Sequence, residues 1–75
     1  MSDWQPLNDN VLIEPQEKAP EMYVGVIVAV GDMVKGVRKG DVVMVKRYAC
    51  QQLFVDDKKL LLCREYRLCA KRRLF

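Results

Sequence analysis

Apolar residues along this chain fall in short runs separated by turn-forming residues. Val11-Leu12-Ile13 is closed by Glu14-Pro15, and residues 24–30 read VGVIVAV before Gly31-Asp32 breaks the run. Residues 42–45 read VVMV and follow Lys39-Gly40-Asp41. Leu53-Phe54-Val55 leads through Asp56-Asp57-Lys58, a tight-turn signal, into the apolar residues 60–63, and a last run spans residues 68–71. No segment repeats apolar positions at the helical interval of three and four. Short, valine-rich, punctuated runs predict an all-β sandwich or barrel, with no βαβ units.

Several runs are apolar on both faces. In residues 24–30, Val26 and Val28 share one side while Ile27 and Ala29 share the other. A one-sided antiparallel sheet would alternate apolar with polar residues. The pattern therefore predicts an interior on one side and a cover on the other, supplied by another subunit. The backbone signals are local. Gly31 and Gly40 flank apolar runs where turns use unusual φ, and Asn8 is a residue that tolerates the left-handed region. Gly25, inside a strand pattern, predicts a bulge or a close backbone approach.

Size sharpens the need for a partner. A 75-residue chain makes one small domain, and chains this short bury only about 60% of their unfolded surface. Such scaffolds usually rely on disulfides, a metal or a partner subunit. The three cysteines, Cys50, Cys63 and Cys69, have no CxxC spacing and are odd in number, so they are read as reduced thiols packed as small apolar groups. With no histidine, a Cys/His zinc site is excluded. Self-association is the staple that remains.

The net charge of +3 is unevenly spread. Lys58, Lys59, Arg64, Arg67, Lys71, Arg72 and Arg73 face only Glu65 in residues 58–75, whereas the preceding residues are net acidic. Lys71, Arg72 and Arg73 form a basic patch at the end of the chain, available to an acidic surface or to solvent. Two clusters, Lys46-Arg47-Tyr48 and Arg64 with Tyr66-Arg67, combine an aromatic ring with cations, as single-strand-binding barrels do. The aromatic residues are few, and nucleic acid is not expected as the main partner. No triad, P-loop or paired-carboxylate spacing points to catalysis, so the chain is expected to be no enzyme and to need no cofactor. Residues 1–10, MSDWQPLNDN, lack the apolar stretch of a secretory signal, and no apolar run is long enough to span a membrane. A cytoplasmic location is the corresponding expectation.

Four stretches in register resemble the small co-chaperonins, the GroES-like proteins. Residues 6–15, PLNDNVLIEP, resemble the family's opening PLxDxVLxxP. Residues 25–31, GVIVAVG, resemble its GxVVAVG strand, and VRKGDVV followed by KRYA resembles VKxGDxVxxxKYA. Residues 60–65 with Leu68-Cys69-Ala70 resemble the closing segment. The resemblance implies a small irregular barrel spanning residues 1–75, non-catalytic, that serves an ATP-driven chaperonin ring as a protein-folding cofactor. It also implies a homo-oligomer, a ring of seven in the family, in which the first strand of one subunit meets the last strand of the next. By position this places Trp4 and Leu7 against Leu68 and Ala70 of a neighbour.

Two family insertions are missing. A mobile docking arm would follow the first strand and a roof hairpin would follow the GxVVAVG strand, yet Pro15 reaches Gly25 through PQEKAPEMYVG and Gly31 reaches Val37 with a short connection. Residues between Pro15 and Gly25 span about 30 Å at most when fully extended, and most of that length must return the chain to the barrel. Met22, Tyr23 and Val24 either form a residual apolar edge that docks on a chaperonin or simply begin the next strand and pack inward. A loop-less barrel reused as a structural or assembly protein, viral for example, is the alternative function. Asn8 stands where the family often has glycine, and Cys50 where glycine often follows Tyr-Ala, which asks a bulkier residue to take a turn.

Overall fold

The computed structural model describes residues 4–18 and 21–72. Six strands form: β1 (Asn10–Lys18), β2 (Met22–Val30), β3 (Val42–Lys46), β4 (Gln51–Val55), β5 (Lys58–Arg64) and β6 (Leu68–Arg72). Single 3-10 turns, Arg47–Ala49 and Glu65–Arg67, link β3 to β4 and β5 to β6. All neighbours are antiparallel, in the order β4-β5-β1-β2-β3-β6. The all-β class and the small barrel expected from the sequence are what the chain adopts.

The sheet curls around one cluster. Val11 and Ile13 of β1, Tyr23 and Ile27 of β2, Val43 and Val45 of β3, and Leu61 and Cys63 of β5 are buried together. Their two-residue spacing is the strand period, which sends alternate side chains to one face. In β3 the intervening Met44 and Lys46 are exposed.

The first strand is longer than the apolar run that announced it. Glu14-Pro15 was expected to end it, but β1 continues to Lys18 and pairs with β2 down to Lys18 opposite Tyr23. Proline is tolerated because the pairing of β1 with β5 stops at Ile13, so no ladder on that side asks Pro15 for an N–H. The register slips between Pro15 and Glu17, opposite Gly25 and Val24, which is the bulge that Gly25 signalled.

Turn chemistry follows the sequence closely. Asp56 and Asp57 have φ of 54° and 66° and join Val55 to Lys58 as a two-residue hairpin loop, the positive-φ pair that a type I′ turn requires. Asn8 has φ of 60°. Of the two glycines expected to supply unusual φ, Gly40 does so at 98°. Gly31 is needed for another reason: a Cβ there would collide with the Asn8 carbonyl. Cys50 does not take a demanding turn. It is extended, with φ of −128° and ψ of 156°, so the bulk of its side chain causes no strain.

Residues 31–41 cross from β2 to β3 as a pinned loop. Gly31 N–H donates to Asn10 O at 2.9 Å and Met33 N–H to Asn8 O at 2.8 Å. Gly40 N–H donates to Ile27 O, and Ile27 N–H donates to Asp41 O, both at 2.9 Å. The Glu65 carboxylate accepts the N–H groups of Lys35 and Gly36, and Lys71 Nζ donates to Gly36 O. The buried Asp41 carboxylate accepts Arg38 N–H at 3.1 Å. The loop stays on the body of the barrel.

Candidate functional site: sheet edges, hairpin end and outer apolar strip

With β1 reaching Lys18 and β2 starting at Met22, only residues 19–21 lie between the paired strands. Tyr23 was one of three residues in a candidate exposed docking edge. Its side chain is instead almost wholly buried, while Met22 and Val24, which point the other way, are half-buried. The alternation of β2 decides this: Tyr23, Gly25 and Ile27 share the inward face. The inward reading of the triplet therefore describes Tyr23, and no three-residue apolar hook projects from this hairpin.

Groups from three parts of the fold close over the Tyr23 phenol. Gln52 Nε2 of β4 donates to Tyr23 Oη at 2.8 Å, and Lys59 Nζ of β5 lies at 3.4 Å. The Arg47 guanidinium sits 5.3 Å from the ring centre and the Lys59 ammonium 5.1 Å. Burial works to raise the pKa of this phenol. Hydrogen bonds from Arg47 and Lys59, with their positive charges, outweigh it and hold the pKa below the ordinary tyrosine value.

The thiols differ from one another. Cys63 is buried, and burial, with a smaller contribution from Cys50, pushes its pKa up to about 12. Cys50 packs against the core, and burial raises its thiol despite the opposing charge of Lys59. Cys69 is exposed, which corrects the expectation that all three are packed. Among the described residues no group of cysteine and carboxylate side chains could hold a metal ion.

The expected interface residues sit at two places. Residues 4–7 form no strand and run outside the sheet, tied down by Gln5 Nε2 donating to Val30 O at 2.8 Å and by Asn10 N–H donating to Leu7 O at 3.0 Å. Pro6 is buried, while Trp4 is 72% and Leu7 67% exposed. Leu68 and Ala70 lie on β6, which pairs with β3 on one side and ends the sheet on the other. Leu68 packs partly against the core and Ala70 is exposed. Trp4 and Leu7 do not meet Leu68 and Ala70 as one site within the chain. Trp4 and Leu7 border one concavity and Ala70 another.

The basic patch is only partly on view. Lys71 and Arg72 are exposed, and Lys71 is engaged with the pinned loop through Gly36 O. Arg73 lies outside the described residues.

Sequence reasoning missed an outer apolar strip. Leu12 and Leu60 are 4% and 5% exposed yet belong to no part of the central cluster. They lie on the outer face under Trp4, which borders two concavities of about 280 and 520 Å³. The larger is edged by Leu53, Phe54 and Leu62, and Phe54 is 74% exposed. Strand alternation puts Leu53 and Val55 of β4 on the face of Leu12 and Leu60, whereas Phe54, paired with Lys59, shares the face of Gln52.

No curated protein matches the chain. The family model described as the chaperonin 10 kDa subunit matches residues 15–72, which takes in every strand except the start of β1 and leaves the opening PLND outside. Most of the chain is covered, and the matched strands are those that build the curled sheet; the protein belongs to the chaperonin 10 kDa subunit family, the small co-chaperonins.

Proposed function

We propose that the protein is a non-catalytic, self-associating co-chaperonin barrel that serves an ATP-driven chaperonin as a cytoplasmic folding cofactor. The family match over residues 15–72 carries this reading. Copies join head to tail, with Trp4 and Leu7 of one against Leu68 and Ala70 of the next. Two features support that contact. The outer edge of β6 bears no strand among the described residues, and a free strand edge is a template for another chain. Residues 4–7 already run outside the sheet with two large apolar groups exposed. Repetition of one head-to-tail contact closes a ring when the rotation per copy allows it. Without a roof hairpin such a ring has an open centre. Among the described residues no helix is long and apolar enough to cross a membrane.

Docking on the chaperonin cannot use the family's long arm, because three residues join β1 to β2. Among the described residues, Met22 and Val24, flanking the buried Tyr23, are the apolar groups this end offers. The same shortness favours a second reading, in which the barrel kept self-association and became an assembly module. Sedimentation velocity separates the two. The protein is run alone, then with a chaperonin ring and a non-hydrolysable nucleotide. An oligomer that co-sediments only with nucleotide supports the co-chaperonin; an oligomer indifferent to the chaperonin supports the assembly module. A monomer at all concentrations overturns both.

A further inference from the structure

The two tyrosine-and-cation clusters are far apart in sequence, and the fold brings them side by side. Val45, the residue before Lys46, is paired with Leu68, the residue after Arg67. The 3-10 turn Arg47–Ala49 therefore leaves the same end of the β3–β6 ladder that the turn Glu65–Arg67 enters. Ala49 of the first turn and Tyr66 and Arg67 of the second border one open concavity of about 250 Å³. Each turn holds a tyrosine at its centre, and both rings face solvent, Tyr48 at 79% and Tyr66 at 69% exposed. Each ring has its own cation: Lys46 Nζ lies 5.8 Å from the Tyr48 ring centre, and the Arg67 guanidinium 5.4 Å from that of Tyr66.

The remaining charges nearby are largely engaged. Arg47 lies over the Tyr23 ring. Arg64 is 3.3 Å from the Asp9 carboxylate. Glu65, the one acidic side chain in either turn, is turned toward the backbone N–H groups of Lys35 and Gly36. Glu21 borders the hollow beside Tyr48 together with Lys46 and Arg47. This end of the barrel thus carries two solvent-exposed tyrosine rings, each with a cation over one face and each bordering its own hollow.

We infer that the Tyr48 and Tyr66 turns form one platform for a short single-stranded nucleic acid, with bases stacked on the two rings and phosphates held by Lys46 and Arg67. Exposed rings beside cations suit this ligand because every base offers a face to stack, whatever the sequence. A duplex keeps its bases stacked on one another and would leave both rings unused. The inference does not depend on the chaperonin reading.

Fluorescence anisotropy of a labelled twelve-nucleotide oligothymidine, titrated with the full chain at about 50 mM and about 200 mM salt, tests it. The expected slope of log affinity on log salt is about −1.4, from two phosphates at about 0.7 each. Tyr48→Ala and Tyr66→Ala should each weaken binding by roughly five- to a hundredfold, the range for losing one stacked base. Tyr48→Phe and Tyr66→Phe should keep near-wild-type affinity, and all four variants should melt like the wild type because both rings are exposed. A matched duplex should bind more weakly than the single strand. The inference is overturned by no binding at the lower salt, by alanine variants that bind as tightly as the wild type, or by polyglutamate that competes as well as oligothymidine. The last two would mark a general attraction to polyanions.

Discussion

Tyr23 and Trp4 mark two regions that the same kind of side chain occupies for opposite reasons. Around Tyr23 the strands close: its ring is 1% exposed, Ile13 and Leu61 are fully buried, and three polar side chains cap its oxygen. Around Trp4 the apolar surface stays open, with Leu7 and Phe54 also well exposed and a groove between them. The interior is complete within one chain. The outer strip is not, and it is continuous with residues 4–7, the segment proposed to meet a neighbouring copy. The contrast separates residues that make the barrel stand from residues available to join barrels.

The largest effect should come from breaking the closed side. Tyr23→Ala should lower the unfolding free energy by about 3–5 kcal/mol, the range for emptying a buried aromatic site, read from urea denaturation. Leu61→Ala, at the centre of β5, should cost about 2–5 kcal/mol by the same measurement. A loss below about 1 kcal/mol for either would mean that the interior is not closed as described.

Alkaline pH gives a second test of the closed side. The folded Cys63 thiol has its pKa raised to about 12 against an ordinary value of 9.0. Between these values the folded chain holds a proton that the unfolded chain has lost. The contribution of Cys63 to stability is therefore complete below 9.0 and is lost as pH rises toward about 12. Tyr23 runs the other way, since its lowered pKa adds stability as pH rises toward the ordinary tyrosine value of 10.0. Cys63→Ala should flatten the fall in stability above pH 9, while Tyr23→Phe should steepen it. Chemical denaturation at a series of pH values reads both.

On the open side, substitutions should change association and spare the fold. Trp4→Ala should reduce the sedimenting mass while changing the stability of the barrel by less than about 1 kcal/mol. An unchanged mass would remove Trp4 from the interface. Phe54→Ser should give the smallest effect on unfolding, within about 0.5 kcal/mol, as an exposed position does. A large destabilisation there would place Phe54 in the closed region after all.

Much of this division was legible in the runs of apolar residues. Val11 and Ile13, Val43 and Val45, and Leu61 and Cys63 lie inside at two-residue spacing, as the strand pattern requires. Asp56-Asp57 announced its hairpin because few residues accept positive φ in succession. The length of β1 was not legible, because a proline argues against a strand unless one ladder edge is free, and where the β1–β5 pairing ends is a tertiary matter. The position of Tyr23 turned on phase: Met22-Tyr23-Val24 contains no polar residue to say which of the three points inward. The outer strip stayed hidden because Leu12 and Leu60 are buried outside the central cluster, a distinction that exists only once the sheet has curled.

By itself the sequence determined the all-β class, the turns, the family resemblance and the absence of room for a long arm, since each rests on local preference or on chain length. Only the tertiary structure decided that the hairpin is zipped to within three residues, that Tyr23 seals the interior under Arg47, Lys59 and Gln52, and that the turns bearing Tyr48 and Tyr66 meet the same end of the β3–β6 ladder. Those facts depend on strand register, and register is settled by contacts between residues that lie far apart along the chain.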